Sequence, residues 1–265
     1  MISPLAHIHP NAQLGNDVIV NPFAVIGNDV IIKDGTHVMS HAVIMEKVSI
    51  GKGCKIFPGA VVGAIPQDLK FDGEDTVVEI GDNTTIRECV TINRGTKDKW
   101  RTVVGSDCLL MAYSHIAHDC IIGNHVIIAN SVQLAGHVEI GDHAIIGGMA
   151  AAIQFSKIGA HTYIAGGTEI IKDVPPFIKA GRSPLSYVGV NSVGLQRRGF
   201  SSERINSISE IYRNIYLRGL NISQATQIIE KDLPDSEEKA EILRFIKASK
   251  RGILKVSSKE NMDEN

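Results

Sequence analysis

The chain has 265 residues, enough for one large domain or two modest ones with a real core. Aromatic residues make up only 5%, so the interior has to be filled by branched aliphatic and small side chains, which favours strands and leaves no apolar run long enough to span a membrane. The net charge of −2 is unevenly spread: residues 179 to 255 carry 14 Lys and Arg against 8 Asp and Glu, a basic region suited to an acidic partner. The opening MISPLAHIHP lacks the basic and apolar regions of a signal peptide, so a soluble, cytoplasmic protein is expected, with no nucleic-acid partner and no stable membrane insertion.

In chain order, the first feature is a repeat of six. Stepping from Ile8 gives Leu14, Val20, Ile26, Ile32, Val38, Ile44, Ile50, Ile56 and Val62. The same phase returns at Ile80, Ile86 and Ile92, then runs from Val104 through Leu110, Ile116, Ile122, Ile128, Leu134, Ile140 and Ile146 to Ile158, Ile164 and Ile170. Ala152 is the one lead position in this series that is not Ile, Leu or Val. Outside two interruptions, four residues after each lead sits a small residue, such as Ala12, Val18 and Ala24, and later Cys120, Val126 and Val132. Four after one lead is two before the next, so both point to the same side of a strand. Glycine often follows the lead, as at Gly15, Gly51, Gly105, Gly123 and Gly141, where the chain is expected to turn. A short strand plus a corner in every six residues fits a coil of three faces and about 18 residues, stacked at the ordinary strand spacing.

Two interruptions keep the phase, near 64–78 and 97–103, and read as loops extruded from a continuous scaffold, where function often lies. These repeats define a domain from 1 to 190. A helical part is expected from 191 to 255: Ile205, Ile208, Tyr212 and Ile215 recur at helical spacing, Ser223 is placed to cap a second helix, and Ala240, Leu243 and Ile246 to Ile253 suggest a third. Residues 256–265 read as a disordered tail. Cys54, Cys108 and Cys120 fall at the small-residue position and Cys89 has no partner in a CxxC pair, so all four read as free thiols.

Residues 18 apart should stack. His118 lies two after its lead with Gly136 one coil on and Gln154 beyond, at a position where side chains leave the core, so His118 is expected to face open space. Gly136, with no Cβ, lets backbone approach a substrate and offer an N–H to a developing oxyanion. Asp119 stacks below His137, close enough to pair with it. His125, His143 and His161 stack as neatly, with no glycine opening space beside them, and read as a surface ladder. Gly148 and Gly166, one coil apart beside Met149, form a bare strip that could admit an extended hydrocarbon.

The repeat resembles the hexapeptide-repeat acyltransferases, which implies a mainly β fold, a left-handed parallel β-helix, followed here by a small α-helical region. Closer still, QDLK at 67–70, VTINRGT at 90–96, HIAHDC at 115–120, LAGHVEIGD at 134–142, AIIGGM at 144–149 and GVNSVGLQRRGF at 189–200 resemble the UDP-N-acetylglucosamine O-acyltransferase family. That resemblance implies transfer of a 3-hydroxyacyl group from acyl carrier protein to the 3-hydroxyl of UDP-N-acetylglucosamine, the first step of lipid A and lipopolysaccharide synthesis, by a homotrimer. It implies His118 as general base, Asp119 as its partner and Gly136 as oxyanion donor. Asp68, Lys70, His115 and His137 would hold sugar and thioester, and Gln154, Asn191, Arg197 and Arg198 the nucleotide and phosphates. Gly148, Met149 and Gly166 would form the acyl groove, glycine at 166 implying a long chain. No metal and no cofactor beyond the carrier's phosphopantetheine thioester is implied. The chain departs from the family at Ile153, around Pro184 and at Val193. Two rivals are a zinc hydratase resembling γ-class carbonic anhydrase, with histidines from adjacent subunits on the metal, and another hexapeptide-repeat sugar acyltransferase.

Overall fold

In a computed structural model of the chain, described here for residues 1–256, the repeat winds into a parallel β-helix. Ile116 pairs beside Leu134, Leu134 beside Ala152 and Ala152 beside Ile170, each one coil of 18 residues on. The coils build three sheets, of 9, 8 and 11 strands, and the third also receives strands from the C-terminal part. Most strands are only two residues long, the lead and the residue before it, so each coil is three short strands joined by tight corners. The leads point inward and fill a continuous aliphatic core, with Ile26, Ile44, Ile86, Leu110, Ile116 and Ile128 fully buried.

The corners turn elsewhere than the glycines suggest. It is the third residue after the lead that takes left-handed φ, at Asp119 (60°), His125 (55°), His137 (63°), His143 (59°) and Met149 (61°) among others. Asp, Asn and His tolerate that conformation better than most non-glycine residues. The glycine directly after the lead answers to packing between coils. A Cβ on Gly123 would lie 2.3 Å from Asp142 Oδ1 and 2.8 Å from the Asp142 amide nitrogen.

The two excursions occupy 65–76, between the strands Val61–Ala64 and Val77–Ile80, and 94–100, between Thr91–Asn93 and Arg101–Val104. Register is recovered after both: Val62 pairs with Ile92 and Ile80 with Val104. The first excursion is tied down by the ion pair of Lys47 with Asp75, and by Arg94, which reaches Glu46 at 3.5 Å and lies over the Phe71 ring. Cys54, Cys108 and Cys120 are buried free thiols, and burial pushes the Cys120 thiol up to about 12, as expected of inert filler.

After the repeats come the antiparallel strands Ile178–Gly181 and Ser186–Val190 and four helices: α1 (Ser192–Arg197), α2 (Ser202–Tyr216), α3 (Ile222–Asp232) and α4 (Glu237–Ala248). The buried stripe of α2 is Ile205, Ile208, Ile211, Tyr212 and Ile215, as its spacing requires. Several sequence expectations need correction. The cap of α3 is Asn221, in a capping box with Gln224, rather than Ser223, because the Asn221 side chain is the one that reaches an orphan amide. The last helix stops at Ala248, and Ile253 belongs to a returning segment that pairs with Asp173. Val256, expected in the tail, pairs with Tyr187, while the tail from 257 onward lies outside the described residues. The short α1 had no apolar periodicity to announce it.

Candidate active site

His118 and Asp119 sit at the corner between the strand His115–Ile116 of the first sheet and Ile121–Ile122 of the second. The histidine leaves the prism core, as expected, yet does not face open space: it is 5% exposed and Asp119 is 0% exposed. The polar groups of the 94–100 excursion reach this corner. Asp119 Oδ1 accepts from the amides of Thr96 (3.0 Å) and Lys99 (3.2 Å), and Oδ2 accepts from the Thr96 hydroxyl (2.6 Å) and lies 2.9 Å from His118 Nδ1. Burial by itself would raise the carboxyl's pKa, but the hydrogen bonds from His118 and Thr96 outweigh it and hold Asp119 below the ordinary carboxylate range.

The expected pairing of Asp119 with His137 is secondary. His137 Nε2 is 3.8 Å from Asp119 Oδ2, whereas its Nδ1 lies 3.1 Å from Asp98. The His137 ring stacks on Phe155, centroids 4.3 Å apart, and meets His118 edge-on at 5.0 Å. Burial lowers the His137 pKa, and it does the same for His115, whose Nδ1 lies 2.7 Å from the Thr91 hydroxyl on the neighbouring strand. Neutral imidazoles are therefore favoured around His118.

Gly136 is a geometric necessity here. A Cβ at 136 would stand 2.5 Å from His118 Cε1 and 2.6 Å from Nε2. No hydrogen bond among the described residues uses its amide. A hollow of about 210 Å³ opens beside the pair, lined by Asp68, Lys70, Glu74, Thr96, Lys97, Asp98, His137 and Phe155. Asp68 and Lys70, from the first excursion, thus reach the same hollow as His137. Gln154 is exposed next to Phe155 on this edge. Sequence reading missed Asp98, Lys99 and Phe155; the only signal was that polar residues interrupt a repeat whose phase continues.

The other expected site residues lie on other edges of the prism. His125, His143 and His161 do stack, at 4.5 and 4.8 Å, but the column is no mere surface feature: it continues onto Phe177 at 5.5 Å, and Phe200 meets His161 edge-on. Burial drives the His161 pKa down to about 4. Asn191 Nδ2 donates to the His161 carbonyl and Arg198 Nη2 to the His143 carbonyl, both at 2.9 Å, while Arg197 is exposed. Gly148, Met149 and Gly166 occupy the third edge, where Met149 is 75% exposed. A Cβ on Gly166 would approach the Gly148 carbonyl oxygen to 2.8 Å, so this glycine also serves coil packing.

A parallel β-helix of six-residue repeats with a buried histidine–carboxylate pair on one edge defines a hexapeptide-repeat transferase. Residues 29–64 and 101–136 match the family described as bacterial transferase hexapeptide (six repeats), and residues 173–254 match domain 2 of UDP N-acetylglucosamine O-acyltransferase. The chain is 44% identical over 260 residues, 96% of its length and 99% of the relative's, to an acyl-[acyl-carrier-protein]–UDP-N-acetylglucosamine O-acyltransferase of Janthinobacterium sp. (strain Marseille). It is 45% identical over 256 residues to the protein of that name in Thermodesulfovibrio yellowstonii, covering 96% of this chain and 99% of that one. Among solved structures it resembles LpxA, a UDP-N-acetylglucosamine acyltransferase from Bacteroides fragilis 9343, with TM-score 0.94, 51% identity and 96% and 100% of the two chains covered. The Francisella novicida UDP-N-acetylglucosamine acyltransferase matches with TM-score 0.95 and 38% identity, over 100% of this chain and 97% of that one.

The chain therefore belongs to the UDP-N-acetylglucosamine O-acyltransferase family, acyltransferases built on a left-handed parallel β-helix. Membership displaces the zinc-hydratase alternative. Among the described residues no helix is long and apolar enough to cross a membrane.

Proposed function

We propose that this chain transfers an (R)-3-hydroxyacyl group from acyl carrier protein to the 3-hydroxyl of UDP-N-acetylglucosamine, opening lipid A biosynthesis. The observation that carries the reading is the buried His118–Asp119 pair packed against Gly136 and against Thr96 and His137, which line a polar hollow, in a chain so similar to acyltransferases of that name. Asp119 accepts from His118 Nδ1, which leaves Nε2 as the base. Nε2 takes the proton from the sugar hydroxyl as its oxygen attacks the thioester carbonyl. The tetrahedral oxyanion accepts from the Gly136 amide, and its collapse expels the pantetheine sulfur, which leaves with the proton held on His118. Asp68, Lys70, His115 and His137 line the approach and orient the reacting groups.

The nucleotide residues Gln154, Asn191, Arg197 and Arg198, and the acyl groove of Gly148, Met149 and Gly166, are divided among three edges of one prism, too far around the coil to form one pocket. We assign them to sites completed between subunits of a homotrimer, where an edge of one copy faces another edge of its neighbour. We assign the reaction to the cytoplasm, where sugar nucleotides and acyl carrier proteins are made. In this reading the repeats hold the chemistry, and the helical part from 191 to 255 receives the acidic carrier.

The test is to incubate the protein with UDP-N-acetylglucosamine and a panel of 3-hydroxyacyl carrier proteins and weigh the products. One donor should give an O-acylated sugar nucleotide. Folded protein that yields none with any donor overturns the reading, and sedimentation of a stable, fully active monomer overturns the trimer.

A further inference from the structure

The 94–100 excursion does more than cover the corner. Its six extra residues lengthen one coil, with Ile80 and Val104 paired 24 positions apart, and its polar groups converge on one buried carboxylate. We propose that Thr96 is a positioning residue for the base: its amide and hydroxyl clamp Asp119 so that His118 is presented with Nδ1 protonated and Nε2 free.

The argument is one of donors and acceptors. Thr96 is 7% exposed and Asp119 is fully buried, so water does not complete either set of bonds. The Thr96 oxygen accepts from the Asp98 amide at 3.3 Å, which turns its hydroxyl proton toward Asp119 Oδ2 at 2.6 Å. Oδ1 already faces two backbone amides, which can only donate. A protonated Asp119 would therefore present its own hydrogen to a shell of donors, and the ionised form is the one the site satisfies. An ionised carboxylate that keeps its remaining acceptor direction on Oδ2 demands a proton on His118 Nδ1, 2.9 Å away. The opposite tautomer would set two acceptors against each other. The charged and titratable groups facing the pair are His115 from the preceding strand, His137 from the next coil, and Asp98 and Lys99 from the excursion itself. None of these takes the hydroxyl's place on Oδ2.

This inference rests on the acyl-transfer reading for its kinetic consequence, but the tautomer can be observed without substrate. In the full-length protein labelled with ¹⁵N-histidine, His118 should give the Nδ1–H pattern at neutral pH. Thr96→Val should mix the tautomers and lower kcat about ten-fold or more, short of the ~10⁴-fold cost of a base held in the wrong tautomer. KM for both substrates should hold, and the acid limb of the kcat profile should move to higher pH, because a carboxylate relieved of one donor attracts the protonated imidazole more strongly and keeps the base occupied further up the pH scale. Thr96→Ser, which keeps the hydroxyl, should restore spectrum, kcat and limb together. A folded Thr96→Val with an unchanged His118 spectrum and acid limb overturns the proposal, as does a Thr96→Ser no better than Thr96→Val. If the wild-type protein transfers no acyl group while Thr96→Val still shifts the tautomer, the activity reading fails and the positioning role stands.

Discussion

Two edges of the same prism carry histidines at the same left-handed corner position, and they have become different things. On the His125 edge, imidazole lies on imidazole and then on Phe177, so both faces of His143 and His161 are spent on their neighbours. On the His118 edge, the corresponding column is Asp119, His137 and Phe155, and a further imidazole, His118, sits one residue before Asp119 and against Gly136. The difference is made by one missing Cβ and one extruded loop. Coil geometry alone supplies stacking; a site arises where a coil is interrupted and a side chain is withheld.

The sharpest way to break the comparison is to remove either special feature of the His118 edge. His118→Ala should cut turnover about 10²- to 10⁴-fold, the usual worth of a general base. Because the ring is buried rather than free, a small loss of thermal stability should accompany it, readable by calorimetry. Gly136→Ala should lose activity to a similar degree, since its methyl needs the space of the His118 ring. Near wild-type turnover in folded His118→Ala would remove His118 from the mechanism, and in folded Gly136→Ala would remove the need for a bare backbone beside it.

A smaller effect concerns the basic C-terminal part, where the sequence offers Arg204, Arg213, Arg218, Arg244, Lys247, Lys250 and Arg251 alike. The structure separates them. Arg204 is engaged by Glu238 and Phe200, and Arg213 and Arg218 share Glu210. Among the described residues Lys247, Lys250 and Arg251 make no ion pair. Reversing two of these three should raise the apparent KM for carrier-bound donor several-fold at low salt and flatten its salt dependence, whereas reversing Arg213 should not. Equal effects from both sets would move the docking surface elsewhere.

On the third edge, Gly166→Met should shift competition between long and short donors toward the shorter, each excluded methylene costing about 0.8 kcal/mol of burial. The close approach of Gly148 means that a lower melting temperature is expected as well. An unchanged product ratio in active protein would reduce Gly166 to a packing role.

The mildest prediction belongs to the ladder. His161 titrates near 4 when folded, below its ordinary 6.5, because burial disfavours its charged form. Between those values the unfolded chain binds the extra proton, so stability should fall as pH drops from about 6.5 toward 4. His161→Phe, which preserves a stacking ring, should flatten the melting temperature over that window while wild type declines. Parallel curves would mean that the ladder does not carry the linkage.

How much of this was legible follows from the range of each interaction. The six-residue period, the three faces and the stacking of His118 with Gly136 could be read directly, because a coil repeats one local geometry and turns distance in sequence into position in space. The same arithmetic found the His125 ladder. Helices α2 to α4 were visible in outline through apolar spacing, but their caps and the final return were not, since Asn221 and Ile253 act through local pairings that leave no period. Only the tertiary structure decided what surrounds His118. The 94–100 excursion has no repeat to set its path, and its amides reach Asp119 because the chain is anchored at both ends by strands of neighbouring coils. Burial of His118, the turning of Asp119 toward it rather than toward His137, and the tethering of Asn191 and Arg198 to ladder carbonyls all depend on which donors arrive from elsewhere in the chain. A periodic sequence determines where residues stand, and the non-periodic insertions determine what their polar atoms meet.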